Sequence, residues 1–410
     1  MTPSLVAMGN EVSIRCGDRT DTSFEDMLRK DYPANDASKA RLTMMRSFLA
    51  REDMADASIS LEAILSVYHK LWGINTQDDF MSLLHGVVWK SKLRCSRAVL
   101  AHPSLDVGVR NDKGETALLF ALLYSRSDAV CELLLTKPAV RASVLVSDDD
   151  KAKCLHAAAK RPSAAILMQL LTTEAWALDP TARDKHNATL FVSLLLHPSY
   201  GESQQQAFEW LLARNDMKAL LNDATCITPL VAACHAGRTQ CVQQLLAAGA
   251  KAAVATVEGE TPLIACAECN DEDQGVECAK LLLQQEDNTS ALVNHRIEGR
   301  VTALHVACKS GRVGLVKYFL CHGADAVARC DRGTTPLFAA LHSDSSDELV
   351  PLLVAREDVQ HQLRTQPLAE PTHPFHAAIQ HDNRTALNAM LPFTVASKAA
   401  GTTEKTAGAV

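Results

Sequence analysis

Cysteines supply the one spacing in this chain that is typical of a metal site. Cys266 and Cys269 are separated by two residues, and Cys278 follows in the same region. Structural zinc takes four thiolate or imidazole ligands in a tetrahedron, so a site here also needs ligands such as Cys234 or Cys308. However, Cys234, Cys266 and Cys308 stand in positions of a recurring phrase where alanine is usual, and free cysteine behaves there as a small hydrophobic residue. We therefore expect structural thiols and no bound metal, with a thiol or metal site at Cys266 and Cys269 as an alternative.

Histidines recur in the same phrase, but no known catalytic pattern surrounds them. These histidines are His85, His156, His305 and His376. The sequence contains neither a phosphate-binding G-x-x-x-x-G-K-[ST] nor a dinucleotide-binding G-x-G-x-x-G, and neither H-E-x-x-H nor G-x-S-x-G. We therefore expect no enzymatic activity, no catalytic residue and no cofactor.

The elements that carry these residues are encoded by a seven-residue phrase that recurs along the chain. The best copies span 228–234, 261–267, 302–308 and 335–341, and each begins with threonine. Weaker copies extend the series in both directions. The central apolar residues of all copies, spaced 33 to 41 residues apart, are Leu84, Leu118, Leu155, Leu190, Leu230, Leu263, Leu304, Leu337 and Phe375.

Each residue type in the phrase has a physical role in a helix. Thr228 can cap a helix by accepting a bond from a free backbone N–H, and Pro229 suits the first turn. Leu230 points into the core, and the small residues after it allow close helix packing. Gly237 ends the helix, because glycine takes the left-handed conformation at little cost. A second helix follows, with apolar residues at helical spacing.

This period and the theme T-P-L-H-x-A resemble the ankyrin repeat family. The resemblance is strongest for 225–341 and covers 80–393 more loosely. It implies an all-α fold, an ankyrin-repeat solenoid of stacked antiparallel helix pairs with short hairpin loops. It also implies that the histidine of the phrase bonds within its own repeat or to the neighbouring hairpin.

Four segments follow from this pattern. Residues 1–35 are polar and unpatterned, so we expect poor order there. Residues 36–76 predict two helices, which we interpret as an N-terminal cap or degenerate repeat, with a separate small helical domain as the alternative. Residues 77–393 are the array of about nine repeats. Residues 394–410 are rich in Ala, Gly, Thr and Lys without periodicity, and we expect a disordered tail.

Composition limits the class of protein. The 410 residues carry a net charge of −7 with both signs scattered, which argues against a general nucleic-acid binder. No apolar run reaches the roughly 18 residues of a membrane span, and the N-terminus lacks the pattern of a secretory signal. The 13 cysteines occur singly, which indicates reduced thiols. We expect a monomeric intracellular protein, cytoplasmic or nuclear.

The resemblance places partners on the concave side of the array, at hairpin tips and the ends of first helices. Residues at those positions are Trp89, Lys90, Tyr124, Lys160, Arg161, His235, Glu268, Lys309, His342 and Gln380. The early part of this row combines aromatic and cationic residues, a mixture typical of interfaces. The leading hypothesis is a non-enzymatic scaffold or adaptor that binds a protein partner of unknown identity. The alternative is an inhibitory or chaperone-like subunit of a specific enzyme complex.

Overall fold

The chain folds into helices joined by short turns. The computed structural model describes residues 82–176, 178–284 and 289–400. Within these ranges there is no β-strand, and one isolated antiparallel bridge joins Arg110 to Thr116. The predicted all-α fold of helix pairs is confirmed. The segments expected at 1–35 and 36–76 lie outside the described residues.

Two compact units meet in the sequence between Ala213 and Arg214. The first contains α1 (Leu83–Trp89), α2 (Leu93–Leu100), α3 (Ala117–Tyr124), α4 (Asp128–Leu135), α5 (Pro138–Leu145), α6 (Asp148–Ala159), α7 (Ala165–Thr172), α8 (Leu190–Leu195) and α9 (Glu202–Leu212). Its first helices α1, α3, α6 and α8 pack in a row, and each pairs with the second helix α2, α4, α7 or α9. The short helix α5 connects α4 to α6.

The second unit repeats this arrangement with five pairs. It contains α10 (Asn215–Lys218), α11 (Pro229–His235), α12 (Thr239–Ala247), α13 (Pro262–Glu268), α14 (Glu272–Gln284), α15 (Thr289–Val293), α16 (Ala303–Lys309), α17 (Val313–Cys321), α18 (Pro336–Ala340), α19 (Ser346–Val354), α20 (Glu357–Thr365), α21 (Pro374–Gln380) and α22 (Arg384–Ala400). The first helices α11, α13, α16, α18 and α21 pack successively on one another. Each is followed by a longer second helix.

The recurring phrase forms the first helices as its residues predict. Thr228 Oγ1 accepts a bond from the backbone N–H of Val231 at 3.2 Å, and Pro229 begins α11. Leu230 is 1% exposed, and full burial of such a side chain stabilises the fold by roughly 1.5–3 kcal/mol. Gly237 follows the end of α11 with φ +65°, a conformation that favours glycine.

The last helix runs further than the sequence pattern indicates. It continues to Ala400, beyond residue 393 where we expected the array to end. The segment 394–400 contains three alanines, and alanine has the highest helix propensity, which offsets the missing periodicity. The rest of the expected tail, 401–410, lies outside the described residues. No helix in the described ranges is both long and apolar enough to span a bilayer.

Candidate protein-interaction face

The exposed ends of the first helices and the hairpin tips that precede them form what we call the first-helix face. In the first unit this face carries an aromatic cluster. The ring centroids of Trp89 and Tyr124 lie 5.7 Å apart, and Phe120 lies 5.6 Å from Trp89 and 4.8 Å from Tyr124. Phe120 is buried, whereas Trp89 and Tyr124 are half-buried. Trp89 and Tyr124 therefore expose part of their rings to a partner, and the buried ring of Phe120 supports them.

Lysines lie on the same face as this cluster. Lys113 Nζ lies 5.9 Å from the centroid of the Tyr124 ring, within the range of a cation–π contact. Lys90 is exposed at the end of α1. Lys160, at the end of α6, is half-buried, and its Nζ lies 3.9 Å from a carboxylate oxygen of Asp184. At this distance and exposure the ion pair contributes little to stability.

Arg161 does not lie on the first-helix face. Its side chain is 4% exposed, and its Nε donates to Asp128 Oδ1 at 3.0 Å. Its Nη1 donates to the carbonyl oxygens of Ala121, Leu122 and Ser125 at 3.1 to 3.2 Å. These carbonyls lie at the end of α3, where that of Ala121 also accepts from the backbone N–H of Ser125, so Arg161 links α6 to the previous repeat. This corrects the expectation of a binding residue, since a position count along the repeat does not reveal which side chain turns inward.

The second unit presents a more mixed row. Lys309, His342 and Gln380 are exposed, whereas His235 and Glu268 are half-buried. Burial lowers the pKa of His235 and raises that of Glu268, with Lys309 partly opposing the rise at Glu268. These five residues occupy the ends of successive first helices, as the sequence predicts, and their contact with a partner stays a prediction.

Glu260 is an unusual acid on the hairpin tip before α13. Burial raises its pKa to about 8, and the nearby charges of Glu268 and Glu258 add to the rise. One of its carboxyl oxygens, Oε1, is buried without a hydrogen-bond partner. The group is therefore largely protonated at neutral pH. Its place at a tip shows in the sequence, but its burial does not.

The histidines of the phrase act within the fold. His305 Nδ1 lies 2.9 Å from Thr302 Oγ1, and Nε2 lies 3.3 Å from the carbonyl oxygen of Thr334 in the next hairpin. His85 makes the equivalent pair of contacts, to Ser82 Oγ at 2.8 Å and to the Glu115 carbonyl at 3.1 Å. Burial lowers the pKa of both imidazoles. The expectation that this imidazole bonds within its own repeat or to the neighbouring hairpin is confirmed for both.

The thiols of the metal alternative are buried in helix contacts. Cys234, Cys266 and Cys278 are 0% exposed, and their thiols form hydrogen bonds with one another. Burial raises the pKa of Cys266, and bonds from Cys234 and Cys266 lower that of Cys278. No group of three or more His, Cys, Asp or Glu residues in the described ranges is arranged to hold a metal ion. The described structure thus offers no ligand set at Cys266 and Cys269.

A cavity of about 330 Å³ opens on the first-helix face of the first unit. Its walls come from the tip at 113–115, from α6 and from the tip at 184–188. The sequence predicts Lys160 as a partner-binding residue, and it makes no such prediction for Lys153 or Lys185. Lys153 and Lys160 are seven residues apart, which is two helical turns. This spacing predicts that both side chains lie on the same face of α6.

Comparison with known proteins agrees with the repeat pattern. The family description "Ankyrin repeats (3 copies)" matches residues 194–292 and 273–365. Ankyrin repeat domain-containing protein SAT10 of Stachybotrys chartarum is 26% identical over 259 residues, 62% of this chain and 13% of that protein. Human ankyrin repeat and SOCS box protein 16 is 41% identical over 109 residues, 26% of this chain and 22% of that protein. Residues 194–365 thus carry ankyrin repeats, and the helix pairs that precede them, with capping threonines such as Thr116, follow the same pattern.

Proposed function

We propose that the protein is a non-enzymatic, intracellular scaffold or adaptor that holds a protein partner on its first-helix face. Ankyrin repeats are protein-interaction modules, and the family as a whole is generally non-enzymatic. Support for an intracellular location, cytoplasmic or nuclear, comes from the 12 cysteines in the described ranges, all of which are free thiols.

The observation that carries the proposal is the aromatic cluster of Trp89, Phe120 and Tyr124 with Lys113 beside it. Rigid aromatic rings and cations at the centre of a patch contribute most of the binding energy in known interfaces. A buried ring under two half-buried rings limits the entropy lost when a partner binds. The same face supports an inhibitory or chaperone-like role, which differs from a scaffold in the identity of the partner.

Capture of binding proteins by matched variants tests this proposal. Tyr124→Ala removes a half-buried ring from the first-helix face, and Tyr318→Ala removes a half-buried ring from the second helix α17. Proteins enriched on the full chain are identified by quantitative mass spectrometry, and their affinities are then measured with purified components. We expect Tyr318→Ala to keep the affinity and Tyr124→Ala to lower it by roughly tenfold or more. Equal affinity for both variants, or no saturable partner, contradicts the proposal.

A further inference from the structure

The third helix pair of the first unit lacks the hairpin tip that its neighbours have. Tips elsewhere turn on a residue with positive φ, such as Gly114 at +74°, Asn187 at +63° and Gly259 at +81°. No residue of the described segment 138–160 has a positive φ. The chain instead forms α5 and then enters α6 at Asp148, several residues before the phrase that begins a first helix elsewhere.

An ion pair fixes α6 in this position. Arg110 Nη2 lies 2.6 Å from Asp150 Oδ2, and Asp150 is 4% exposed. The same guanidinium donates from Nη1 to the carbonyl oxygen of Gly114 at 2.8 Å. Arg110 therefore joins the start of α6 to the tip of the preceding repeat. Both terminal nitrogens of Arg110 donate to the Asp150 carboxylate. This bidentate geometry fixes the orientation of the guanidinium group.

The missing tip leaves the cavity described above between the two remaining tips. The floor includes Leu123 and Leu196, which are half-buried and present apolar surface. One wall is the face of α6 that carries Lys153, His156 and Lys160. His156 is already engaged, with Nδ1 2.7 Å from Ser193 Oγ and Nε2 3.0 Å from the carbonyl oxygen of Ala182. The histidine therefore shapes the wall and leaves recognition to the lysines and leucines.

The rim of the cavity is positively charged although the chain as a whole is acidic. Four lysines line it against two carboxylates: Lys113, Lys153, Lys160 and Lys185 against Glu115 and Asp184. Lys153 pairs with Asp149 outside the lining, and Lys160 Nζ lies 3.9 Å from Asp184, so the lining keeps an excess of positive charge. Both carboxylates already take bonds inside their own tips. Asn111 Nδ2 donates to Glu115 at 2.8 Å, and the backbone N–H groups of His186 and Ala188 donate to Asp184, each at 2.9 Å. In a protein of net charge −7, this rim favours an anionic ligand.

We propose that this cavity binds an acidic peptide segment of a partner protein, with one apolar side chain on the leucine floor and carboxylates beside the lysines. The inference rests on the proposed function and specifies the chemistry of the partner. A cavity of about 330 Å³ accommodates a large side chain but not a domain. The apolar floor distinguishes such a peptide from nucleic acid, whose phosphates need only the cations.

Fluorescence anisotropy with labelled peptides tests the proposal on the full chain. The probe is a hexapeptide with two acidic residues on each side of a central Phe-Leu pair. Two comparison peptides replace the acids by lysines or the Phe-Leu pair by Gly-Ser. We expect the acidic apolar peptide to bind best, and affinity to fall as salt rises because the contacts are charged.

Charge-reversal variants locate the site. Lys113→Glu with Lys185→Glu changes two exposed tip residues that line the cavity, and we expect affinity to fall roughly tenfold or more. The matched control is Lys251→Glu with Lys317→Glu, two exposed lysines of the second unit, which should bind as the unchanged protein does. Circular dichroism melting verifies that both variants remain folded.

Four results overturn the proposal. They are no binding of the acidic peptide at millimolar concentration, equal binding of the lysine or Gly-Ser peptide, unchanged affinity in Lys113→Glu/Lys185→Glu, and tighter binding of a single-stranded oligonucleotide.

If partner capture depends on Tyr124 while no peptide binds, the proposed function stands and the peptide site falls. If the peptide binds but no partner depends on Tyr124, the aromatic cluster is not the anchor. A synthetic peptide of residues 18–28, which contains acidic and apolar residues, tests whether this chain supplies the ligand itself.

Discussion

The Arg161 guanidinium satisfies three carbonyl oxygens at the end of α3 and pairs with Asp128 while it is almost entirely buried. Arg161→Ala leaves those carbonyls and the carboxylate without this donor. We expect the free energy of unfolding to fall by about 2–4 kcal/mol, measured by urea denaturation. Lys160→Ala, one residue earlier at a half-exposed position, should change it by about 0.5 kcal/mol or less. Similar losses for the two variants would contradict the buried role of Arg161.

Glu260 makes the stability of the second unit depend on pH. Its pKa is about 8 in the folded chain against an ordinary 4.5, so the folded state holds this proton more tightly than the unfolded state does. The contribution of Glu260 to stability is therefore largest below pH 4.5 and declines as pH rises toward 8. Each unit of pKa difference corresponds to about 1.4 kcal/mol, so the loss amounts to a few kcal/mol.

Glu260→Gln tests this assignment because glutamine keeps the shape without the charge. We expect the variant to be more stable than the unchanged protein at pH 8.5 and close to it at pH 5, as measured by denaturant midpoints. Glu348→Gln, at an exposed position of α19, is the control, because Glu258 itself contributes to the raised pKa of Glu260. A stability difference that does not vary with pH would show that Glu260 ionises normally.

Close approach of helices, more than helix propensity, decides the residue at Gly275. A Cβ at this position in α14 would lie 2.8 Å from the backbone oxygen of Cys266, which cannot move aside. At Gly314 in α17 the nearest atom is the flexible carboxylate of Glu272 at 3.0 Å. We expect Gly275→Ala to destabilise by about 1–3 kcal/mol, although alanine is the better helix former. Gly314→Ala should cost less in the same thermal unfolding measurement, and the opposite order would refute this packing.

The helix pairs could be predicted from sequence because each copy of the phrase carries its own start, core and stop residues. Thr228, Leu230 and Gly237 act through contacts that are local in the chain. Arg161 could not be predicted as a buried residue because it bonds to Asp128 and to carbonyls 36 to 40 residues earlier. The cavity could not be predicted because it lies beside α6, whose early start is held by Asp150 contacting Arg110 forty residues away. A pairing of this kind leaves no periodic trace in one sequence.

At the scale of the molecule, buried histidines make the fold sensitive to acid. Burial lowers the pKa of His85, His156 and His305, which lie in first helices of both units. The unfolded chain binds protons at these sites first, so the stability they contribute is present above pH 6.5 and is lost as pH falls below it. We expect unfolding midpoints to drop between pH 6.5 and 5.5.

The acid response is best measured in the Glu260→Gln background, where the opposing carboxyl is absent. There, His305→Gln should flatten the pH dependence below 6.5. His342→Gln, which changes an exposed histidine at the end of α18, is the control for a side chain outside the core. Equal slopes for the two variants would show that the repeat histidines do not cause the acid sensitivity.

The buried cysteines give this protein a built-in set of reporters. Buried thiols occur in the first three helix pairs of each unit: Cys95, Cys131, Cys154, Cys234, Cys241, Cys266, Cys278 and Cys308. A thiol shielded in this way reacts with an alkylating reagent only when its own helices open. Timed alkylation followed by peptide mapping therefore records which repeats open together and which open alone, without any label being introduced.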